Sequence, residues 1–166
     1  ARIVRPETRV CRADSILGVG VREGAPKPDV STVEAFKRTL VSARAVAYSR
    51  AGASGIYFTG LVERLGIAAE VNARAVAIPM GFTGEKVASG EADIAIQQVS
   101  ELMSVPGVAV AGPFPPEVQT VSTFDAAIFA DAKNAEGAAA FMALLASPEA
   151  AKAYGDGGLV SRLKHS

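Results

Sequence analysis

The sequence predicts an α/β domain built on a mostly parallel sheet. Three observations carry that expectation. Short apolar runs of strand length alternate with segments whose apolar residues recur at helical spacing. The composition is 49% hydrophobic with few aromatics, which suits close packing of helices on a sheet and excludes disorder. Three strand-like runs end in clusters of small and polar residues, where the binding loops of such sheets lie.

Charge and cysteine usage narrow the function classes. Seventeen basic and seventeen acidic residues balance to a formal net charge of zero, so nothing points to nucleic acid or an acidic membrane surface as partner. No apolar run has the length of a membrane span. Residues 1–12 are charged throughout and do not read as a signal peptide. Cys11 is the only cysteine, which rules out an intrachain disulfide. It sits in a basic opening with Arg9 and Arg12, where a thiol could be activated, although a bystander is the simpler reading. His165 is the only histidine and stands at the chain end. No metal-ligand spacing and no Ser-His-Asp set emerges, so neither a metal ion nor a cofactor is expected.

In chain order, residues 1–14 read as an arm or the end of a helix. Residues 15–22 read as a strand whose Gly18 and Gly20 permit close approach. Two prolines stiffen the loop at 23–29. Ser31 or Thr32 caps a helix with Val33, Phe36, Leu40 and Val41 on one face, and Glu34 stands at capping-box spacing from Ser31. Residues 45–48 form a buried strand, and Ile56, Leu61 and Leu65 begin the next helix pattern, which Gly66 ends. Residues 70–78 read as one strand. A small-residue loop at 79–84 leads into a short helix through Val87 and Ala88. Residues 94–96 are a strand ending in Gln97 and Gln98, followed by a short helix at 99–103 and a strand at 108–110. A long extended run covers 118–130. A helix starts at or beside Asn134, and a last one starts at Ser147 with Pro148 in its first turn.

The candidate site lies in the loops at strand ends: residues 49–55, 79–84 and 97–98. The first is a strand, a small-residue loop and a helix start. A helix start offers unpaired N–H groups and a partial positive charge, so it can hold an anion. Ser54 at the cap adds a hydroxyl, with Ala53 and Gly55 beside it, and glycines let a ligand approach the backbone. The plain alternative is an ordinary helix cap. Arg50 is the one cation in these loops. There is no carboxylate pair and no nucleophile with a base, which points to recognition rather than catalysis.

Several segments taken together carry a family resemblance. They are Gly24-Ala25-Pro26 with Pro28-Asp29-Val30-Ser31-Thr32; Ala47-Tyr48 leading to Gly52-Ala53-Ser54-Gly55-Ile56-Tyr57; Gly90-Glu91-Ala92-Asp93-Ile94-Ala95-Ile96 leading to Ser100-Glu101-Leu102; Gly112-Pro113-Phe114-Pro115; and the Leu-Leu-Ala-Ser-Pro-Glu-Ala stretch within 141–150. In order and spacing these resemble the periplasmic molybdate-binding proteins of ABC importers, and more broadly the type II periplasmic binding protein fold. The resemblance implies that residues 15–116 form the second ligand-binding lobe, that 117–166 return to the first lobe, and that 1–14 belong to an otherwise absent first-lobe part. It implies ligand contacts at Ser54, Met80 and Gln98, with Gln97 the alternative should the alignment slip by one. Family members place a tyrosine where Gln98 falls.

The resulting expectation is a non-enzymatic, periplasmic solute-binding component that holds an oxyanion such as molybdate or tungstate for the membrane subunits of an ABC importer. The alternatives are a binder of a small organic anion, with Arg50 pairing a carboxylate, and the effector-sensing domain of a transcription regulator, for which no helix-turn-helix is visible. The apolar 126–129 stretch and the helix bearing Phe141, Met142, Leu144 and Leu145 lead one to expect self-association or pairing with the absent N-terminal part.

Overall fold

The computed structural model describes residues 3–163. His165 lies outside the described residues. The chain divides into two compact units. One is the continuous stretch Ile16–Thr120, and the other combines the first fifteen residues with the segment from Val121 onward.

The Ile16–Thr120 unit is built on five strands. The first, β1 (Val10–Arg22), enters it from the other unit. It is followed by α1 (Val33–Ser42), β2 (Val46–Ser49), α2 (Ala53–Arg64), α3 (Ala68–Asn72), β3 (Ala75–Ile78), α4 (Gly84–Ala88), β4 (Ile94–Gln98), α5 (Val99–Met103) and β5 (Val108–Pro113). The strand order is β3-β2-β4-β1-β5. Strand β2 pairs in parallel with β3 and β4, whereas β4 and β5 both pair antiparallel with β1. Four of the five strands therefore point one way. Each is joined to the next through helix, as crossovers between parallel strands require. β1 alone runs against them, antiparallel to both of its neighbours, β4 and β5.

Strand alternation sorts side chains by size between the two sheet faces. Val46, Tyr48, Ile94 and Ile96 face one core with Phe36, Leu40, Phe58, Leu61 and Phe114. Ala45, Ala47 and Ala95 face the other, where Val87 of α4 and Leu102 of α5 pack. The small face lets the short helices sit close. A Cβ on Gly18 would stand 2.8 Å from Val99 Cγ2, and one on Gly20 equally near Leu102 Cδ2. The larger core is knitted by Phe36 against Phe114, ring centroids 4.6 Å apart. Each fully buried side chain of this kind contributes about 1.5–3 kcal/mol by leaving water.

Two side chains hold the last residues of the unit. Gln119 mimics a strand neighbour for Leu17: its Oε1 accepts the Leu17 N–H at 2.9 Å and its Nε2 donates to the Leu17 carbonyl at 2.9 Å. The Tyr57 hydroxyl donates to the Val118 carbonyl at 2.9 Å.

The second unit contains the first half of β1, then β6 (Val121–Ala126), α6 (Ala135–Leu144), α7 (Pro148–Asp156) and β7 (Val160–Ser161), with β6 and β7 paired to β1. The buried Asp14 carboxylate accepts the Thr123 hydroxyl at 2.9 Å and Arg162 Nε at 2.5 Å. Asn134 and Ser147 cap the two helices. Phe124, Phe129, Phe141 and Leu144 are exposed.

Several element expectations need correction. Within residues 4–14, Val4 bridges Phe129, Pro6–Thr8 is a 3-10 turn, and β1 already runs from Val10. The alternation that marks a strand is hidden there by charged residues, two of which, Arg12 and Asp14, are buried. Residues 70–78 are not one strand. Helix α3 takes Ala68–Asn72 before β3 begins, because Val71 packs into the core of the helical layer. The first helix is capped by Thr32, whose hydroxyl accepts the Ala35 N–H, while Ser31 turns back to Asp29. The Ile16–Thr120 unit ends just before β6 begins at Val121.

Candidate functional site

Strands β2, β3 and β4 end side by side, and their three following loops line one cleft of about 310 Å³. Its walls are Ser49, Ala51–Ser54, Pro79–Gly81, Gln97, Gln98 and Glu101. All belong to the Ile16–Thr120 unit. Four strands of this sheet point one way, so the helix-bearing loops converge there.

The first wall is the turn from β2 into α2. Ser49 is buried and its Oγ accepts the Gly52 N–H at 3.2 Å, which folds the chain back on itself. Gly52, not Ser54, is the N-cap: its carbonyl receives the N–H groups of Gly55 and Ile56, both at 3.0 Å. Ser54 is therefore the second residue of the helix. Among the described residues its hydroxyl has no protein partner, and the N–H groups of Ala53 and Ser54 have no backbone acceptor. Hydroxyl and helix start thus present donors on the cleft wall, where the helix dipole favours negative charge.

Gly55 does not line the cleft. A Cβ there would lie 1.5 Å from the Ser49 carbonyl oxygen, so glycine is what allows α2 to start directly against the end of β2. Arg50 does not line it either. Its side chain is exposed, and its backbone N–H donates to the Ile78 carbonyl at 2.9 Å. The expected counter-charge is absent from the wall, and among the described residues no arginine or lysine takes its place.

The second wall is the loop after β3, and Gln97 holds it in shape. The Gln97 Oε1 accepts both the backbone N–H and the hydroxyl of Thr83, at 2.8 and 2.9 Å, and its Nε2 donates to the Gly81 carbonyl at 3.2 Å. Thr83 is fully buried, and Gly81 takes a positive φ of 99° that favours glycine. Gln97 is on the wall, but most of its polar capacity serves the loop. Met80 is 80% exposed at the cleft edge and offers only a weak sulfur acceptor.

Gln98 closes β4 and caps α5. Its backbone N–H donates to Glu101 Oε2 at 3.2 Å within a capping box. Among the predicted residues, the cleft brings together Ala53, Ser54, Met80, Gln97 and Gln98, and it omits Gly55 and Arg50. It also includes two functional candidates that sequence reading passed over. Ser49 was legible as a hydroxyl three residues before a glycine turn. Glu101 was legible from its spacing of three from Gln98, the reciprocal capping spacing. Among the described residues, no group of three or more His, Cys, Asp and Glu side chains gathers as a metal site.

A family model described as bacterial extracellular solute-binding protein matches residues 1–160. A curated relative, aconitate isomerase from a Pseudomonas species, is 40% identical over 157 residues, covering 94% of this chain and 60% of its own. The chain thus spans about three-fifths of the length of that relative. Among solved structures, the substrate-binding domain of a molybdenum ABC transporter from Clostridium difficile superposes with a TM-score of 0.72 at 17% identity, over 95% of this chain and 68% of the other. The Azotobacter vinelandii periplasmic molybdate-binding protein gives 0.69 at 22%, over 95% and 70%. PEB3 bound to L-phospholactate gives 0.69 at 16%, over 99% and 72%. At these identities the structures show the fold, which is that of type II periplasmic binding proteins. The expectation that the chain is not an enzyme is overturned by the relative named as an isomerase.

Proposed function

The chain belongs to the bacterial extracellular solute-binding proteins, and we propose that its cleft takes a small organic anion with several carboxylates, aconitate or a close analogue, and interconverts its isomers. The observation that carries this reading is the 40% identity to a protein named aconitate isomerase. The cleft chemistry supports it. Carboxylates are held well by hydroxyls and helix-start N–H groups, and Ser49, Ser54 and the first turn of α2 supply these without any fixed cation. Molybdate or tungstate would use the same donors, but the molybdate-binding neighbours share less than a quarter of their residues with this chain and speak only for its fold. On this reading the protein works in the periplasm, and the membrane subunits of an importer are the partners that would receive bound solute.

A thermal-shift screen of the full natural chain tests it. A ligand present at 100 times its dissociation constant stabilises the folded state by about 2.7 kcal/mol. The expected result is a clear rise in Tm with cis- and trans-aconitate and none with molybdate or tungstate. The opposite pattern returns the oxyanion reading.

A further inference from the structure

We propose that Glu101 is the group that moves the proton in this cleft, a role that rests on the isomerase reading above. Shifting the double bond of an unsaturated tricarboxylate requires a proton to leave the methylene carbon and another to arrive at the far vinyl carbon. No bond to a heteroatom forms, and no oxidant or second substrate is needed. The one requirement is a base that becomes an acid within the same turnover.

Among the described residues, Glu101 is the one carboxylate on the cleft wall, and no histidine, lysine, cysteine or tyrosine lines it. Its Oε2 is held by the Gln98 N–H at 3.2 Å, which fixes the side chain at the start of α5. That bond engages Oε2, so Oε1 is the oxygen assigned to exchange a proton. Oε1 takes the methylene proton, and the electron pair left behind spreads over the allylic carbons and the adjacent carboxylates. The protonated Glu101 then delivers a proton to the opposite end of the allylic system, and the double bond has moved. Negative charge grows on the substrate carboxylates during the transfer. The Ser54 hydroxyl and the first N–H groups of α2 lie on the same cleft and can stabilise it without reorganising.

Glu101→Gln separates that chemistry from the fold, because glutamine at the third helix position can still accept the Gln98 N–H. In the full natural chain, followed by proton NMR in deuterium oxide, the expected result is conversion of cis- to trans-aconitate slowed by about a hundredfold or more. Calorimetric binding of aconitate should persist at unchanged or tighter affinity. Glu101→Asp, which keeps the acid, should recover part of the rate. Conversion by Glu101→Gln within tenfold of the unsubstituted protein overturns the role. Loss of binding together with turnover makes Glu101 a shaping residue and also overturns it. Binding of aconitate by the unsubstituted protein without turnover removes this role and leaves the binding reading intact. Failure to bind aconitate at all removes both.

Discussion

Replacing Gly55 by alanine should damage both stability and the anion wall, against the ordinary expectation for a helix. Glycine to alanine within a helix normally stabilises, by at most about 1 kcal/mol. At position 55 the added Cβ would lie 1.5 Å from the Ser49 carbonyl oxygen and 2.6 Å from its carbon, both backbone atoms at the end of a buried strand. Reaching ordinary contact means a retreat of roughly 2 Å, and no side chain can rotate aside to provide it. The start of α2 must withdraw from β2, and the Ala53 and Ser54 donors leave the cleft wall with it. Overpacking of this kind typically costs about 1–3 kcal/mol, and the backbone collision puts this case at the upper end, so the net loss should be about 2 kcal/mol. Gly60 is the internal control on the same helix. A Cβ there meets only the flexible end of Arg64 at 3.5 Å, so Gly60→Ala should stabilise by about 0.5–1 kcal/mol. Urea denaturation of both variants, read at unchanged m-value, measures the two signs directly. A Gly55→Ala variant as stable as the unsubstituted protein would refute the close approach of α2 to β2.

Ser54→Ala should weaken binding of the cleft ligand roughly tenfold to a hundredfold, about 1.5–3 kcal/mol for a charge-assisted bond, with an unchanged unfolding midpoint because the hydroxyl has no protein partner. Calorimetry and denaturation on the same sample separate the two effects. Thr83→Val should do the reverse: it removes the hydroxyl that reaches both Gln97 Oε1 and the Ile96 carbonyl, at 2.9 and 3.2 Å, and should lower stability by about 1–3 kcal/mol. Hydrogen exchange should rise first in the loop after β3. Asp29 gives a pH-dependent test away from the site. The Ser31 hydroxyl, and after it the Ser31 backbone N–H, hold the Asp29 carboxyl below its ordinary value. Its contribution is therefore present above the ordinary carboxylate value and is lost as pH falls through the lowered one. Ser31→Ala should move the Asp29 titration upward in a carbon-detected NMR experiment, while Ser42→Ala should leave it alone.

The sheet was legible where the chain obeys the crossover rule. Runs such as Ala45-Val46-Ala47-Tyr48 and Ile94-Ala95-Ile96 alternate large and small side chains, and the structure places them on the two faces accordingly. The three loops at strand ends were legible for the same reason, since parallel strands must deliver them to one edge. What sequence hid was polar burial. Arg12 and Asp14 disguise the start of β1, because a charge-bearing stretch reads as solvent-facing. The exact cap of α2 was hidden as well. Ser54 has the preferred chemistry, yet Ser49 takes the turn N–H and shifts the cap to Gly52. Arg50 was the natural counter-charge on paper, but it sits at the turn's outer edge, where only its backbone is engaged. Glu101 escaped notice because a capping glutamate is ordinary until a cleft is seen beside it.

The claim that this cleft serves an organic anion is tested most directly by isothermal titration calorimetry of the full natural chain with trans-aconitate, followed by competition with molybdate. Saturable binding of aconitate is expected, which millimolar molybdate does not displace and Ser54→Ala weakens at least about tenfold. Tight molybdate binding with no heat from aconitate would contradict it.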